Sequence, residues 1–383
     1  MFKIPLGWLQ LKKEKLRFAV ALLGVAFAVI LILMQLGFRE AMFGSAVRYH
    51  ESLRYDIALV SPEMSFIVQP RSFSNRRLYQ ARGVPGVASV SPIYLGLGQW
   101  KNPVSHEMRS IFVVGVEPAD GSLALPELEA QRDRITAQDA LLFDDASRPE
   151  FGPIAERVRS GAPVSVELNN RRVHVAGLFS FGTSFGIDGS VVTSETNFLR
   201  IFPNRQRGLI ELGLVRIAAG EDPLRVRDAI RAALPRDVLV LTRAEFAAKE
   251  RAYWDASTPI GYVFAFGVAV GLVVGGIIVY QILFADVNDH LAEYATLKAM
   301  GYSNGYLSGV VIQQAGIVAV LGYLPGVAIC LLLYRISSQA TLLPLEMTWQ
   351  RGLGVLALTV GMCAISALVA LRKVRSADPA DVF

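Results

Sequence analysis

Four stretches of the chain run apolar without a charged residue: Phe18 to Phe38, Ile260 to Ala285, Tyr306 to Tyr334 and Gly352 to Leu371. At 1.5 Å per residue a helix needs about 20 apolar residues to cross a bilayer, where no water satisfies a bare backbone. The pattern therefore predicts four transmembrane helices, over 18–38, 260–285, 306–334 and 352–371. They leave a basic N-terminal segment 1–17, a long segment 39–259, a connecting segment 286–305, a short loop 335–351 and a tail 372–383. A secretory signal also begins basic and continues apolar, but its core is roughly 7 to 15 residues. Here the core is longer and passes into FREAMFGSAVRYHESLRYD, which continues helical, so the first helix is expected to stay in the mature chain.

Past the first span, Phe38, Met42, Ala46, Tyr49 and Leu53 recur at three- and four-residue spacing, with Arg39, Glu40, Arg48, Glu51 and Arg54 between them. That is a stalk helix with one apolar face. At the far end of the long segment, Thr242 to Glu245 has the spacing of a capping box, so a second stalk carrying Phe246 and Tyr253 should lead into the second span. Each stalk must bury its apolar face outside the bilayer, and the two are expected to pack together. Between them the pattern is mixed. DIALVS, VASVSPIYLG, RSIFVVGV and DVLVLT read as strands, SNRRLYQAR and DPLRVRDAIRAAL as helices, and VSVELNNRRVHVAGLF as a hairpin turning at Asn169 and Asn170. The fold class is thus membrane α-helical with a large α+β domain on helical stalks.

Composition follows this division. The chain is 52% hydrophobic and 19% charged, against about a quarter charged in soluble domains. Lys3, Lys12, Lys13, Lys15 and Arg17 precede the first span and Arg372, Lys373 and Arg375 follow the last, which puts both termini in the cytoplasm and residues 39–259 outside. The net charge of +5 then has a bilayer explanation, membrane lipid is the expected neighbour, and no basic stripe with interleaved aromatics points to nucleic acid. Cys330 and Cys363 fall inside apolar runs and read as packing residues.

No glycine is followed by lysine, so a nucleotide-binding P-loop is absent and the chain is not expected to hydrolyse ATP. The four histidines form no metal motif. His290 and Glu293 share a helix face that reads as a solvated interfacial surface. No catalytic serine elbow is expected, and the apolar runs lack the acid or base that marks an ion relay. Neither cofactor nor metal is expected in the chain itself.

One polar stretch interrupts the C-terminal third. ADVNDHLAEYATLKAMGYSNGYL spends about 20 residues where a hairpin needs a few, with Leu291, Tyr294, Ala295, Leu297 and Lys298 at helical spacing and Gly301 as a stop. An amphipathic helix lying on lipid is one reading. The surplus of Asp286, Asp289 and Glu293 over Lys298 fits an anionic leaflet poorly, and a helix presenting Leu297 and Met300 to a protein groove fits better.

Glu293-Tyr-Ala-Thr-Leu297-Lys298-Ala299-Met300-Gly301 resembles the E-x-x-x-L-K-A-x-G segment of the FtsX/MacB superfamily of ABC-transporter permeases. SFSNRRLYQARGVPGVASVSPIY, LLFDDASRPEFGPI, VELNNRRVHVAGLFSFGTSFGIDGS, NFLRIFPNR and RKVRSADPADVF look most like its DevC type. The resemblance implies that Glu293, Leu297, Lys298, Met300 and Gly301 form a coupling helix seated in a separate ATPase, which binds the ATP. It implies an inner-membrane homodimer with a DevA-like ATPase, a DevB-like membrane-fusion protein and a TolC-like outer-membrane channel. Motion would pass along the stalks to a periplasmic domain that exports a lipid-like or amphiphilic substrate. An FtsX-like regulator of cell division and a LolC-like lipoprotein-release permease are the alternatives.

Overall fold

The structure, a computed structural model, describes residue 8 and residues 12–184, 186–256 and 259–376. Lys3 and the last part of the RKVRSADPADVF tail lie outside the described residues. In chain order the α-helices are α1 (Lys15–Ser52), α2 (Arg76–Arg82), α3 (Pro126–Gln131), α4 (Ile154–Arg159), α5 (Glu195–Ile201), α6 (Pro223–Ala233), α7 (Arg243–Ala256), α8 (Pro259–Asp289), α9 (Leu291–Ala299), α10 (Asn304–Thr341) and α11 (Trp349–Ser376). The strands are β1 (Ile57–Val60), β2 (Phe73–Ser74), β3 (Val87–Lys101), β4 (Met108–Val116), β5 (Ala140–Asp144), β6 (Ser165–Leu168), β7 (Arg171–Phe179), β8 (Ser190–Ser194), β9 (Leu209–Ile210), β10 (Leu212–Ile217) and β11 (Leu239–Thr242). They divide into a helical unit, Met1–Ala41 with Pro259–Phe383, and an α+β unit, Met42–Thr258.

In the helical unit α1, α8, α10 and α11 are each long and apolar enough to cross a membrane. Lipid is as apolar as leucine, so such helices associate through close backbone approach and shared hydrogen bonds. Small residues provide the approach. A Cβ at Gly275 of α8 would lie 2.5 Å from Ala28 Cβ, and one at Gly326 of α10 would lie 2.9 Å from Val29 Cβ, so α1 is gripped from two sides. Hydrogen bonds then pin the register: Tyr334 Oη to Leu33 O at 2.5 Å, Tyr323 Oη to Gly352 O at 2.8 Å, and Ser366 Oγ to Gly276 O at 2.8 Å. Cys330 and Cys363 are buried and free, as expected of packing residues.

Three helices run further than the apolar runs suggest, among them α11, which extends from Trp349 to Ser376 rather than over 352–371. α8 continues from 285 through Asp289, and Asp286 finds a hydrogen-bond partner inside the bundle. α10 continues past Arg335 to Thr341 and stops where Leu342 turns left-handed at φ 59°. The connection to α11 is correspondingly short, residues 342–348.

The α+β unit is built on a nine-stranded sheet in the order β11-β1-β10-β3-β4-β8-β5-β7-β6. β6 also pairs back onto β3 through Trp100↔Leu168 and Lys101↔Glu167, which closes six of the strands into a small barrel. Trp100, Phe143 and Phe151 cluster in one core, with Trp100 Nε1 donating to Phe151 O at 3.1 Å. Asn169 and Asn170 make the two-residue β6-β7 turn at φ 50° and 61°, the left-handed pair that a tight hairpin demands. The capping box is equally direct. Thr242 N donates to Glu245 Oε2 at 2.8 Å, and Glu245 N donates to Thr242 Oγ1 at 3.3 Å.

Candidate functional site

α9 springs from the end of α8 after a single turn residue, His290, at φ −96° and ψ 14°. Tyr294 and Ala295 are buried, and Leu297 packs half-buried against the apolar cluster of the helical unit. The outward face is therefore Ala292, Glu293, Thr296, Ala299 and Met300, with Met300 64% exposed and Lys298 half-buried. Sequence spacing offered Leu297 and Met300 together as anchors. The structure presents Met300 and uses Leu297 to seat α9 on its own bundle.

The helix ends in a tight αL turn. Gly301 sits at φ 90°, its N–H donates to Lys298 O at 3.0 Å, and Tyr302 N donates to Leu297 O at 3.1 Å. These are the paired bonds of a Schellman motif, which a glycine makes without steric cost. Ser303 then caps α10, its Oγ accepting from Tyr306 N at 3.3 Å. Termination of one helix and initiation of the next thus occupy adjacent residues, which fixes the exposed edge at Met300.

His290 departs from the sequence expectation. It is buried rather than solvated, with Nδ1 2.9 Å from Asp286 O, and it does not share an outward face with Glu293. Asp286 is buried as well, and accepts from Gln314 Nε2 of α10 at 2.8 Å. The long apolar helices therefore do carry an acid, at the end of α8. It also drops out of the surface charge counted for the connecting segment.

Within the α+β unit, Tyr49 of α1, Leu53 just past its end and Phe246 of α7 share one buried cluster. The Tyr49 ring meets Phe112 edge-on at 5.0 Å and Phe181 at 4.2 Å. His50 lies edge-on to Phe246 at 4.3 Å, and its Nε2 is 3.5 Å from Glu250 Oε2. Glu250 in turn accepts from Ile67 N at 3.0 Å and Trp254 Nε1 at 3.3 Å. The two stalks meet through His50, Phe246 and Glu250. Tyr253 instead stacks on Phe66 at 4.7 Å, Met42 is half-buried, and Phe38 packs in the cluster of the helical unit. Periodicity finds the apolar members of such a contact, but His50 and Glu250 are polar residues on an apolar face and carry no periodic signal.

The loop that receives Tyr49 is held by a buried carboxylate. Asp144 accepts from Phe181 N at 2.9 Å, Gly182 N at 3.0 Å and Ser190 Oγ at 3.1 Å. Burial pushes its pKa up, and these hydrogen bonds oppose the shift. Gly182-Thr-Ser184-Phe-Gly186 in this loop has the G-x-S-x-G spacing, contrary to the expectation that no such pattern occurs. A nucleophile elbow needs a strand-turn-helix. Here the loop joins β7 to β8, and Ser184 is buried in a bridge with Ile187. Among the described residues no group of three or more His, Cys, Asp or Glu is placed to hold a metal ion.

Residues 18–233 match the MacB-like periplasmic core domain, and residues 265–379 match the FtsX-like permease C-terminal domain. The chain belongs to the FtsX/MacB superfamily of ABC permeases. The family implies an inner-membrane protein with a periplasmic domain, driven by an ABC ATPase. Similar solved structures include the periplasmic region of MacB from Actinobacillus actinomycetemcomitans, at 10% identity and TM-score 0.35 over 51% of this chain and 92% of that one. Another is the extracellular domain of the noncanonic ABC-type transporter YknZ from Gram-positive bacteria, at 12% identity and TM-score 0.32 over 49% and 98%. No curated protein sequence matches the chain significantly.

Proposed function

We propose that the protein is the permease subunit of a tripartite exporter, in which a separate DevA-like ATPase docks on α9 and its motion reaches the periplasmic domain along the stalks. The observation that carries this reading is α1, a single helix from Lys15 to Ser52 whose first part packs in the apolar cluster of the transmembrane helices and whose last turns carry Tyr49 in the core of the α+β unit. A helix without a break transmits displacement along its axis, and α7, which follows the same core, precedes α8 and α9 in the chain. Met300 and Glu293 face the ATPase groove, while Leu297, Lys298 and Gly301 hold the helix in shape. Both termini are cytoplasmic, the working unit is a homodimer, and the substrate is lipid-like or amphiphilic.

A DevB-like membrane-fusion protein and a TolC-like channel would complete the path outward. Cross-linking in native membranes followed by affinity isolation of the tagged full chain tests the assignment. An ATPase recovered with a membrane-fusion protein is the expected result. An ATPase recovered with a cell-wall hydrolase instead would overturn export in favour of division control.

A further inference from the structure

The turn that launches α9 holds a buried acid to which the transport reading gives no task. Asp286 is 5% exposed and His290 is 6% exposed. A carboxylate removed from water is costly unless its oxygens are satisfied, and an ionisable group kept within membrane helices is a functional candidate by default. Gln314 of α10, fully buried, donates from Nε2 to Asp286 Oδ2 at 2.8 Å. Asp286 Oδ1 faces His290 Nδ1 at 3.6 Å, and the same nitrogen is 2.9 Å from Asp286 O. Asp289, one residue before His290, pairs with Arg17 of α1, and Arg17 also binds Glu14 at 2.8 Å. Tyr294, 1% exposed, continues the turn by donating its N–H to His290 O at 3.0 Å.

Residues 286–290 are thus tied to α10 through Gln314 and to α1 through Arg17. They are also the point where α8 breaks and α9 begins. We infer that Asp286, bonded through its carboxylate to Gln314 and through its backbone carbonyl to His290, is a positioning residue that clamps the root of α9 to α8 and α10, so that displacement of α9 enters the transmembrane helices instead of being absorbed by bending at His290. The inference rests on the reading that α9 receives the ATPase, but the clamp itself is a property of the permease alone.

Hydrogen exchange on the purified full chain in lipid nanodiscs, without any partner, tests it. Losing one hydrogen bond to a charged group corresponds to about a tenfold or greater rise in local opening. Asp286→Leu, and the milder Gln314→Met that leaves the acid in place, should each speed exchange over residues 290–297 by about that factor, with exchange in α11 unchanged. The exchanged pair Asp286→Asn with Gln314→Glu restores a donor opposite a carboxylate and should return exchange close to the wild-type rate. In an ATPase complex from native membranes, Gln314→Met should keep the ATPase bound and turning over while nucleotide no longer alters exchange around Tyr49. Wild-type exchange over 290–297 in Gln314→Met would overturn the clamp, as would failure of the exchanged pair to rescue. If wild type retains no ATPase, the docking assignment fails while the exchange result on the permease alone still decides the clamp.

Discussion

Asn170 holds φ 61° in the β6-β7 turn, and asparagine tolerates that region because its short polar side chain bonds locally. A β-branched residue does not. Asn170→Val is expected to destabilise the full chain by about 1–2 kcal/mol and Asn170→Gly to be close to neutral, read as melting temperatures in detergent. Beside the hairpin, Arg171 binds Asp139 through two bonds of 2.7 and 3.0 Å and holds its carboxyl below the usual range. A depressed carboxylate contributes stability above its unfolded value and loses it as pH falls through the folded one. Asp139→Asn should therefore melt lower than wild type at pH 7, and the two should converge as pH drops below about 3.9. A gap that persists in acid would mean the pair acts through shape alone. The turn and the capping box are legible in sequence because every partner lies within four residues. The Asp286 bond is not, since Gln314 stands 28 positions away and each side chain alone reads as an ordinary polar group.

Elements are legible where one period runs uninterrupted. The four apolar runs, the long β3 and β4 strands and the amphipathic α6 all stand out, and each corresponds to a helix or strand of the structure. Helix ends are less visible, because a polar residue ends an apolar run but not a helix, whose backbone bonds continue past it, as they do at Arg335. Packing left a signal that hydropathy does not read: Gly322 and Gly326, and Gly271 and Gly275, recur at four-residue spacing and face α1. Leucine at Gly326 would push its Cβ to 2.9 Å from Val29 and 3.0 Å from Ala26 O. Overpacking of this kind commonly costs about 1–3 kcal/mol, so Gly326→Leu should lower the melting temperature and increase exchange in α10. Unchanged exchange there would contradict the close α1–α10 contact. At the other end of α1, Tyr49→Ala removes two ring contacts from a 5% exposed side chain and should cost about 3 kcal/mol. Export should fall more steeply than ATP turnover in that variant. Parallel losses of both would argue that Tyr49 only supports the fold.

At the scale of the molecule, the sequence separates a membrane section from an α+β domain because their periods differ, 20-residue apolar runs against short alternation. It does not reveal the closing of the sheet through β3 and β6, whose paired residues are far apart in the chain and share no pattern. Nor does spacing decide which edge of α9 faces a partner, since Leu297 and Met300 are equally apolar and only the fold sends one inward. On the proposed function, this edge receives the ATPase. That docking is most directly tested by isolating tagged full chain from native membranes in wild-type and Met300→Asp forms, and measuring the co-purifying ABC ATPase and its ATP turnover. Met300 is 64% exposed, so the substitution should leave the permease's own melting temperature unchanged. An exposed side chain that becomes a buried interface anchor carries about 2 kcal/mol or more, and burying a carboxylate in its place costs further. The expected result is a stoichiometric ATPase with wild type and at least about a thirtyfold loss with Met300→Asp. A stoichiometric complex recovered with Met300→Asp would contradict it.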